Sequence, residues 1–416
     1  MNRLTRRRFL VGSGVLGAGA LAAGATAVTL PQLMDVAQES PLADGAGVLV
    51  VITLYGGNDG LNTVVPAGDS AYQDARPELA YQPDEVLDIG NGLGLSPGLA
   101  GLKGLWDQQK LAIVPGAGYP KPDHSHFRSM SIWQTASPET SVRTGWLGRW
   151  LDATGGDPLG AVSVEPVLPP LFAGANTAAA TLPVRGLKLP RGKLVEAVRA
   201  LGSAQPGEDP QQARVAKSLT DLMRAGDVLS AATGERGGEQ DSDDEERDKG
   251  ASAGGNGALG AQLDVVANLV EAGVPSRAYS VSLGGFDTHA DERATQQRLL
   301  TELDGALTPF VQRMAGTDRG KQVTVLVYSE FGRRVRANGS DGTDHGTAGP
   351  MFVMGEQVQG GMIGAQPSLT DLDDGDLKHD TDFRDVYATL LDRVLGSDPG
   401  QVLGGHQGRA DALFRV

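Results

Sequence analysis

The sequence predicts an α/β protein, a mostly parallel sheet with helices on both faces. Short, apolar, β-branched runs recur, as in Val48–Tyr55, Tyr279–Leu283 and Val323–Val327. Continuous runs of this kind are strands buried on both faces. Between them lie segments of helical period, above all Asp291–Met314, where Leu299, Leu303, Leu307, Phe310 and Met314 share one face. A third observation bears on function. The strand-like runs end in Gly56-Gly57-Asn58-Asp59-Gly60, Gly285-Phe286-Asp287-Thr288-His289 and Tyr328-Ser329-Glu330-Phe331-Gly332, and Asp344-His345-Gly346 precedes the run Pro350–Met354. An α/β sheet builds its sites just past its strand ends.

The remaining elements follow in order. Residues 28–46 read as an extended leader, and 47–416 as one domain. Leu111–Val114, before Pro115-Gly116, is a second strand. His126–Thr135 begins a helix with Trp133 buried, and Gly145–Asp152 carries Trp146 and Trp150 on one helix face. Lys193–Leu201 and Gln211–Leu229 have helical character. Gly234–Gly257 contains Asp241-Ser242-Asp243-Asp244-Glu245-Glu246 and almost no apolar side chain, so it reads as a disordered surface insertion. Its spacing does not match an EF-hand loop. Leu259–Ala272 is a helix, Met351–Met354 a strand and Asp382–Leu395 the closing helix.

A net charge of -15 argues against nucleic acid and anionic membrane surfaces as partners. The absence of cysteine excludes disulfides, thiolate metal sites and a cysteine nucleophile. At the N-terminus, Thr5-Arg6-Arg7-Arg8-Phe9-Leu10-Val11 sets an arginine run before the uncharged stretch Gly12–Leu30. This is the layout of a twin-arginine export signal, with Ala25-Thr26-Ala27 a small-x-small cleavage site. The expected signal is residues 1–27, the translocation machinery is an expected partner, and the destination is periplasm, envelope or medium. A retained membrane anchor is the competing reading of the same stretch.

Each chemistry-bearing residue has a structural alternative. Asp59 is a ligand or part of an Asn-Asp-Gly turn. Asp287 and His289 approach one ion or cap the following helix. Glu330 binds metal, or pairs with Arg333 or Arg334; those arginines otherwise hold an anionic substrate. Asp344 and His345 lie in a glycine-rich loop. Four of the six histidines (124, 126, 289 and 345) fall in these segments. In His124-Ser125-His126-Phe127-Arg128, Ser125 is an activated nucleophile or a helix N-cap.

Taken together, these strings resemble the exported domain-of-unknown-function family 1501. The strings are Gly56–Thr63, Ser125-His126-Phe127 with Trp133, Gly284–His289, Ser329–Arg333 and Asp344–Ala348, over roughly residues 47–400. That family resembles the alkaline phosphatase and sulfatase superfamily. The resemblance implies an alkaline phosphatase-like fold and one or two divalent ions (zinc, calcium, magnesium or manganese). The implied metal ligands are Asp59, Asp287, His289, Glu330, Asp344 and His345. Ser125 and His126 would be catalytic, and Arg128, Arg333 and Arg334 would hold the substrate's anionic group. Two departures alter the pattern: one residue, not three, separates Asp287 from His289, and Glu330-Phe331 stands where the superfamily has Asp-His. The formylglycine sulfatase signature is absent, since its nearest serine version, Ser397–Gln401, lacks the arginine. The expected function is therefore an exported, metal-dependent hydrolase of phosphate or sulfate esters, acting on a small or polymer-borne anionic ester. The rival is a non-catalytic exported protein of the same fold that binds an envelope polymer or a partner protein.

Overall fold

The computed structural model describes residues 26–28, 30–165, 167–182 and 259–415. A ten-stranded mixed sheet forms its centre. In chain order the strands are β1 (Thr26–Ala27), β2 (Val48–Leu54), β3 (Leu111–Gly118), β4 (Ala161–Ser163), β5 (Ala180–Thr181), β6 (Ala278–Leu283), β7 (Val323–Ser329), β8 (Gly349–Met354), β9 (Gly361–Met362) and β10 (Thr381–Asp382). In space they run β1-β5-β4-β6-β2-β7-β8-β3-β9, with β10 also on β3.

β2 lies between β6 and β7 and is parallel to both. Every residue of β2 and β7 is buried, as expected of a central strand covered on both faces. β8 alone runs against its neighbours, β7 and β3. That reversal matters for the site. The segment entering β8 lies at the same end of the sheet as the segments leaving β2, β6, β7 and β3.

Alternate strand residues face opposite sides, so the sheet divides two cores. Val48, Val50 and Ile52 pack with the first core. It includes helices α1 (Leu30–Glu39), α3 (Ala100–Asp107), α6 (Leu259–Ala272) and α7 (Glu292–Ala315); α2 (Ser70–Ala75) lies between α1 and α3 in the chain. Leu49 and Val51 pack with the second, under α4 (His126–Thr135), α5 (Trp146–Ala153) and α8 (Phe383–Arg393). The apolar stripe expected on α7 is buried throughout, with Leu303 and Leu307 fully inaccessible. Truncating either to alanine should cost about 2–5 kcal/mol. Trp133 is sandwiched between Tyr328 and Phe383, at ring-centroid distances of 5.2 and 4.4 Å.

The leader differs from expectation. Residues 30–39 form α1 rather than part of an extended leader, because Leu33 and Ala37, four apart, bury against the first core. The strand at Leu111 also continues through Pro115 to Gly118. The helical pieces 193–201 and 211–229 and the acidic insertion 234–257 lie outside the described residues, as does the arginine run.

Candidate metal centre

The framework of the site is a pair of glycines and a buried arginine. β2 leads into Gly56 (φ +118°) and Gly57 (φ +77°), a conformation glycine adopts without strain. A Cβ on Gly56 would lie 2.5 Å from the backbone nitrogen of Asp287. The close approach lets the Gly56 N–H donate to Glu330 Oε1 at 2.9 Å. Beneath these loops the fully buried Arg333 guanidinium donates to the carbonyl oxygens of Gly57, Gly56, Phe286 and Thr343 at 2.5–2.9 Å. Its Nη2 also bonds Asp287 Oδ1 at 2.9 Å. One side chain thus ties together the loops after β2, β6 and β7.

Three imidazoles gather on the same carboxylate oxygen. His289 Nδ1, His345 Nε2 and His126 Nε2 lie 3.1, 3.2 and 3.4 Å from Asp287 Oδ1. Ligand atoms of His126, Asp287 and His345 all fall within 4.8 Å of one another. The outer nitrogens of two rings are fixed. His345 Nδ1 lies 2.7 Å from the carbonyl oxygen of His124, which can only accept. Nδ1 therefore carries the proton, and in the neutral ring Nε2 turns a lone pair toward Asp287. His126 Nδ1 likewise faces Glu330 Oε1 at 2.9 Å. The Arg333 guanidinium offsets part of the Asp287 charge, and a cation or proton among the converging nitrogens would offset the rest. The donor types fit a divalent cation, and the outer hydrogen bonds are those that orient metal-binding histidines.

The electrostatics treat the two rings differently. The bond to Glu330 raises the His126 pKa above its ordinary value, partly opposed by burial. Burial lowers that of His345, which favours the neutral ring. Burial would raise Asp287, but the bonded Arg333 and the neighbouring His345 and His126 outweigh it and hold the carboxyl below its ordinary range.

Several expected residues have other places. Asp59 does not join the cluster. It caps a short turn at Gly60–Asn62, and its Oδ2 is paired with Arg76 Nη1 at 2.6 Å, both side chains fully buried. A saturated ion pair leaves it no ligand role here. Glu330 stands behind His126 rather than facing the shared point; its oxygens accept from Gly56, His126 and Ser329. Asp344 lies on the exposed rim and accepts from Asn338 Nδ2 at 3.3 Å. Arg333 is a brace, its hydrogen bonds all internal. Arg334 leans toward Asp376, Nε to Oδ1 at 3.5 Å. Arg128 is half-buried and pairs with no carboxylate among the described residues. Ser125 is the N-cap of α4 without a side-chain capping bond, and its hydroxyl is exposed. His126, expected to be catalytic, is itself one of the converging donors.

Sequence reasoning passed over two buried groups. Arg76 lies in a short polar segment, 17 residues from Asp59. Glu292, the first residue of α7, is buried, with Oε1 unpartnered and Oε2 accepting from Thr343. Burial and the adjacent Asp59 charge raise its pKa strongly, so a protonated Glu292 completes the Asp59–Arg76 cluster. No motif marks either residue. Beside the site lies a cleft of about 480 Å³, lined among others by Tyr119, His124, Phe331, Asp376, Lys378 and His379. Phe331 also packs at a tilt against the rings of His126 and His345, at centroid distances of 4.9 and 4.7 Å.

Fold and site together define an α/β protein with a histidine–carboxylate cluster at the carboxyl end of its sheet. The chain belongs to the family described as "Protein of unknown function (DUF1501)", which matches residues 115–414. That match begins after Gly56–Thr63, so the first glycine motif lies upstream of it. Among curated proteins none matches. Solved structures that this chain resembles include a protein in the alkaline phosphatase superfamily from Vibrio parahaemolyticus, at 11% identity and a TM-score of 0.38, covering 93% of this chain and 79% of that one. Another is the murine ectonucleotide pyrophosphatase/phosphodiesterase 5, at 8% and 0.40, covering 88% and 100%. A third is a putative sulfatase from Bacteroides thetaiotaomicron, at 10% and 0.32, covering 87% and 75%.

Proposed function

We propose that this protein is a metal-dependent hydrolase of phosphate or sulfate esters. The observation that carries this reading is the convergence of His126, Asp287 and His345 within 4.8 Å, with the outer nitrogens of both rings held by Glu330 and the His124 carbonyl. The engagement of Asp59 and Glu330 elsewhere supports one ion rather than two. The imidazole-rich set suits zinc better than calcium, magnesium or manganese, which favour oxygen donors. A cation there would polarise the ester oxygen and lower the pKa of the attacking group. The chain's own residues do the rest. His126, Asp287 and His345 hold the ion, with His289 within reach of the same carboxylate. Ser125, preceding His126, is the nucleophile candidate. Arg128 has no carboxylate partner and is the cation available to the ester's anionic group. The neighbouring cleft receives the remainder of the substrate. Export by the twin-arginine route is part of this proposal, resting on Arg6-Arg7-Arg8 and the uncharged stretch that follows.

The test is metal analysis of protein purified without chelators, beside turnover of chromogenic phosphate and sulfate esters. The reading expects stoichiometric metal, lost in Asp287→Ala and His345→Ala, and turnover lost in Ser125→Ala. The loss of Asp59 from the cluster favours the rival, a non-catalytic binding protein. Metal without any turnover across the panel would select that rival, and absence of metal would end the proposal.

A further inference from the structure

The opposite end of the sheet carries a second concavity, of about 410 Å³. It is built where the central strands begin: Gly47 precedes β2, Arg277 precedes β6 and Thr324 is the second residue of β7. Across strands of six or seven residues, this places it roughly 20 Å from the histidine cluster. Its wall contains three arginines, Arg277, Arg393 and Arg415, with Gln322, Gln357 and the ring of Phe414. No aspartate or glutamate lines it, in a chain of net charge -15.

None of the three guanidinium groups has a carboxylate partner among the described residues. Arg277 donates to the carbonyl oxygens of Gly47, Leu395 and Val394 at 2.9–3.1 Å, which fixes it as part of the wall. Arg393 donates once, to the carbonyl of Arg415, and lies 5.9 Å from the Phe414 ring centroid. Arg415 donates once through its side chain, to the carbonyl of Gln109. A guanidinium carries five N–H donors in a planar fork, so Arg393 and Arg415 retain most of theirs. Three uncompensated positive charges around one hollow repel each other unless an anion enters. The hollow has the size of a small-molecule site.

We propose that this hollow is a binding site for a small, multiply charged oxyanion, recognised by the forks of Arg393 and Arg415 above the fixed charge of Arg277. The proposal is independent of the metal centre. The experiment is calorimetric titration of the full chain with sodium pyrophosphate and, separately, with citrate, at constant ionic strength. Saturable 1:1 binding is expected, stronger for pyrophosphate if the natural group is phosphoryl and for citrate if it is a polycarboxylate. Arg393→Gln and Arg415→Gln, both at exposed positions, should each weaken binding by about tenfold or more without changing the melting temperature. His345→Ala should leave binding intact, which separates this hollow from the metal centre. No saturable binding, or binding indifferent to both arginine variants, would overturn the proposal.

Discussion

His345 Nδ1 donates to the carbonyl oxygen of His124 across 2.7 Å, and this bond decides which face of the ring is free. With the proton fixed on Nδ1, Nε2 points its lone pair at Asp287, 3.2 Å away. His126 is fixed in the same sense by Glu330. The cluster is thus held ready by groups that do not themselves converge on it.

Glu330→Gln should keep the Gly56 contact and the fold, because the amide oxygen still accepts. It removes the charge that orients and strengthens His126. The expected result is a loss of metal affinity of about 10–100-fold, with little change in melting temperature. Competition titration with a chromogenic chelator measures it. Unchanged affinity would exclude Glu330 from a positioning role.

Cation binding must compete with protons at His126. Its pKa is raised above the ordinary 6.5 by Glu330, so the proton is displaced only as pH rises through that higher value. His345, lowered by burial, is already neutral there. Metal affinity should therefore climb from pH 6 to pH 8, measured by the same competition titration. In the metal-free protein the sign is opposite: the raised His126 pKa contributes stability below pH 6.5 that is lost as pH rises through the folded value. A flat affinity profile would remove His126 from the donor set.

Arg76→Ala leaves Asp59 charged, buried and unpaired. Breaking a buried pair from one side costs about 3–5 kcal/mol, and urea denaturation should show that loss. A cost below about 1 kcal/mol would mean that the pair is not desolvated as described.

Glu165 lies buried two residues beyond β4, beside Ser280 Oγ, and burial raises its carboxyl to about 7 from an ordinary 4.5. The folded state holds this proton more tightly than the unfolded chain. Stability from it is complete below pH 4.5 and is lost as pH rises through 7, by roughly 3 kcal/mol. Glu165→Gln has no such proton, so wild type should lose stability relative to the variant across that window. Denaturation curves at several pH values test this, and parallel profiles would refute it.

Replacing Arg6 and Arg7 with lysine should abolish export while leaving the folded protein in the cytoplasm, as cell fractionation would show. Unchanged export would discard the twin-arginine reading.

The sequence by itself determined the five long strands, the helices α4 to α8 and the positions where chemistry would gather; β1, β4, β5, β9 and β10, of two or three residues each, are too short to carry a pattern. Burial on both faces requires continuous apolar runs such as Val48–Leu54 and Val323–Val327, and a sheet built from them leaves its loops at one end. It therefore marked Asp287, His289, His345 and the segment around His126. Only the tertiary structure decided which of these converge on one point. Asp59 and Asp287 both follow strands in glycine-rich turns, and nothing local distinguishes them. What separates them is partners far along the chain. Arg76 takes Asp59 out of the cluster, whereas Arg333 braces Asp287 from below and leaves its carboxylate open to three imidazoles. Charge pairing between distant residues has no period or motif, so it becomes visible only when the chain closes on itself.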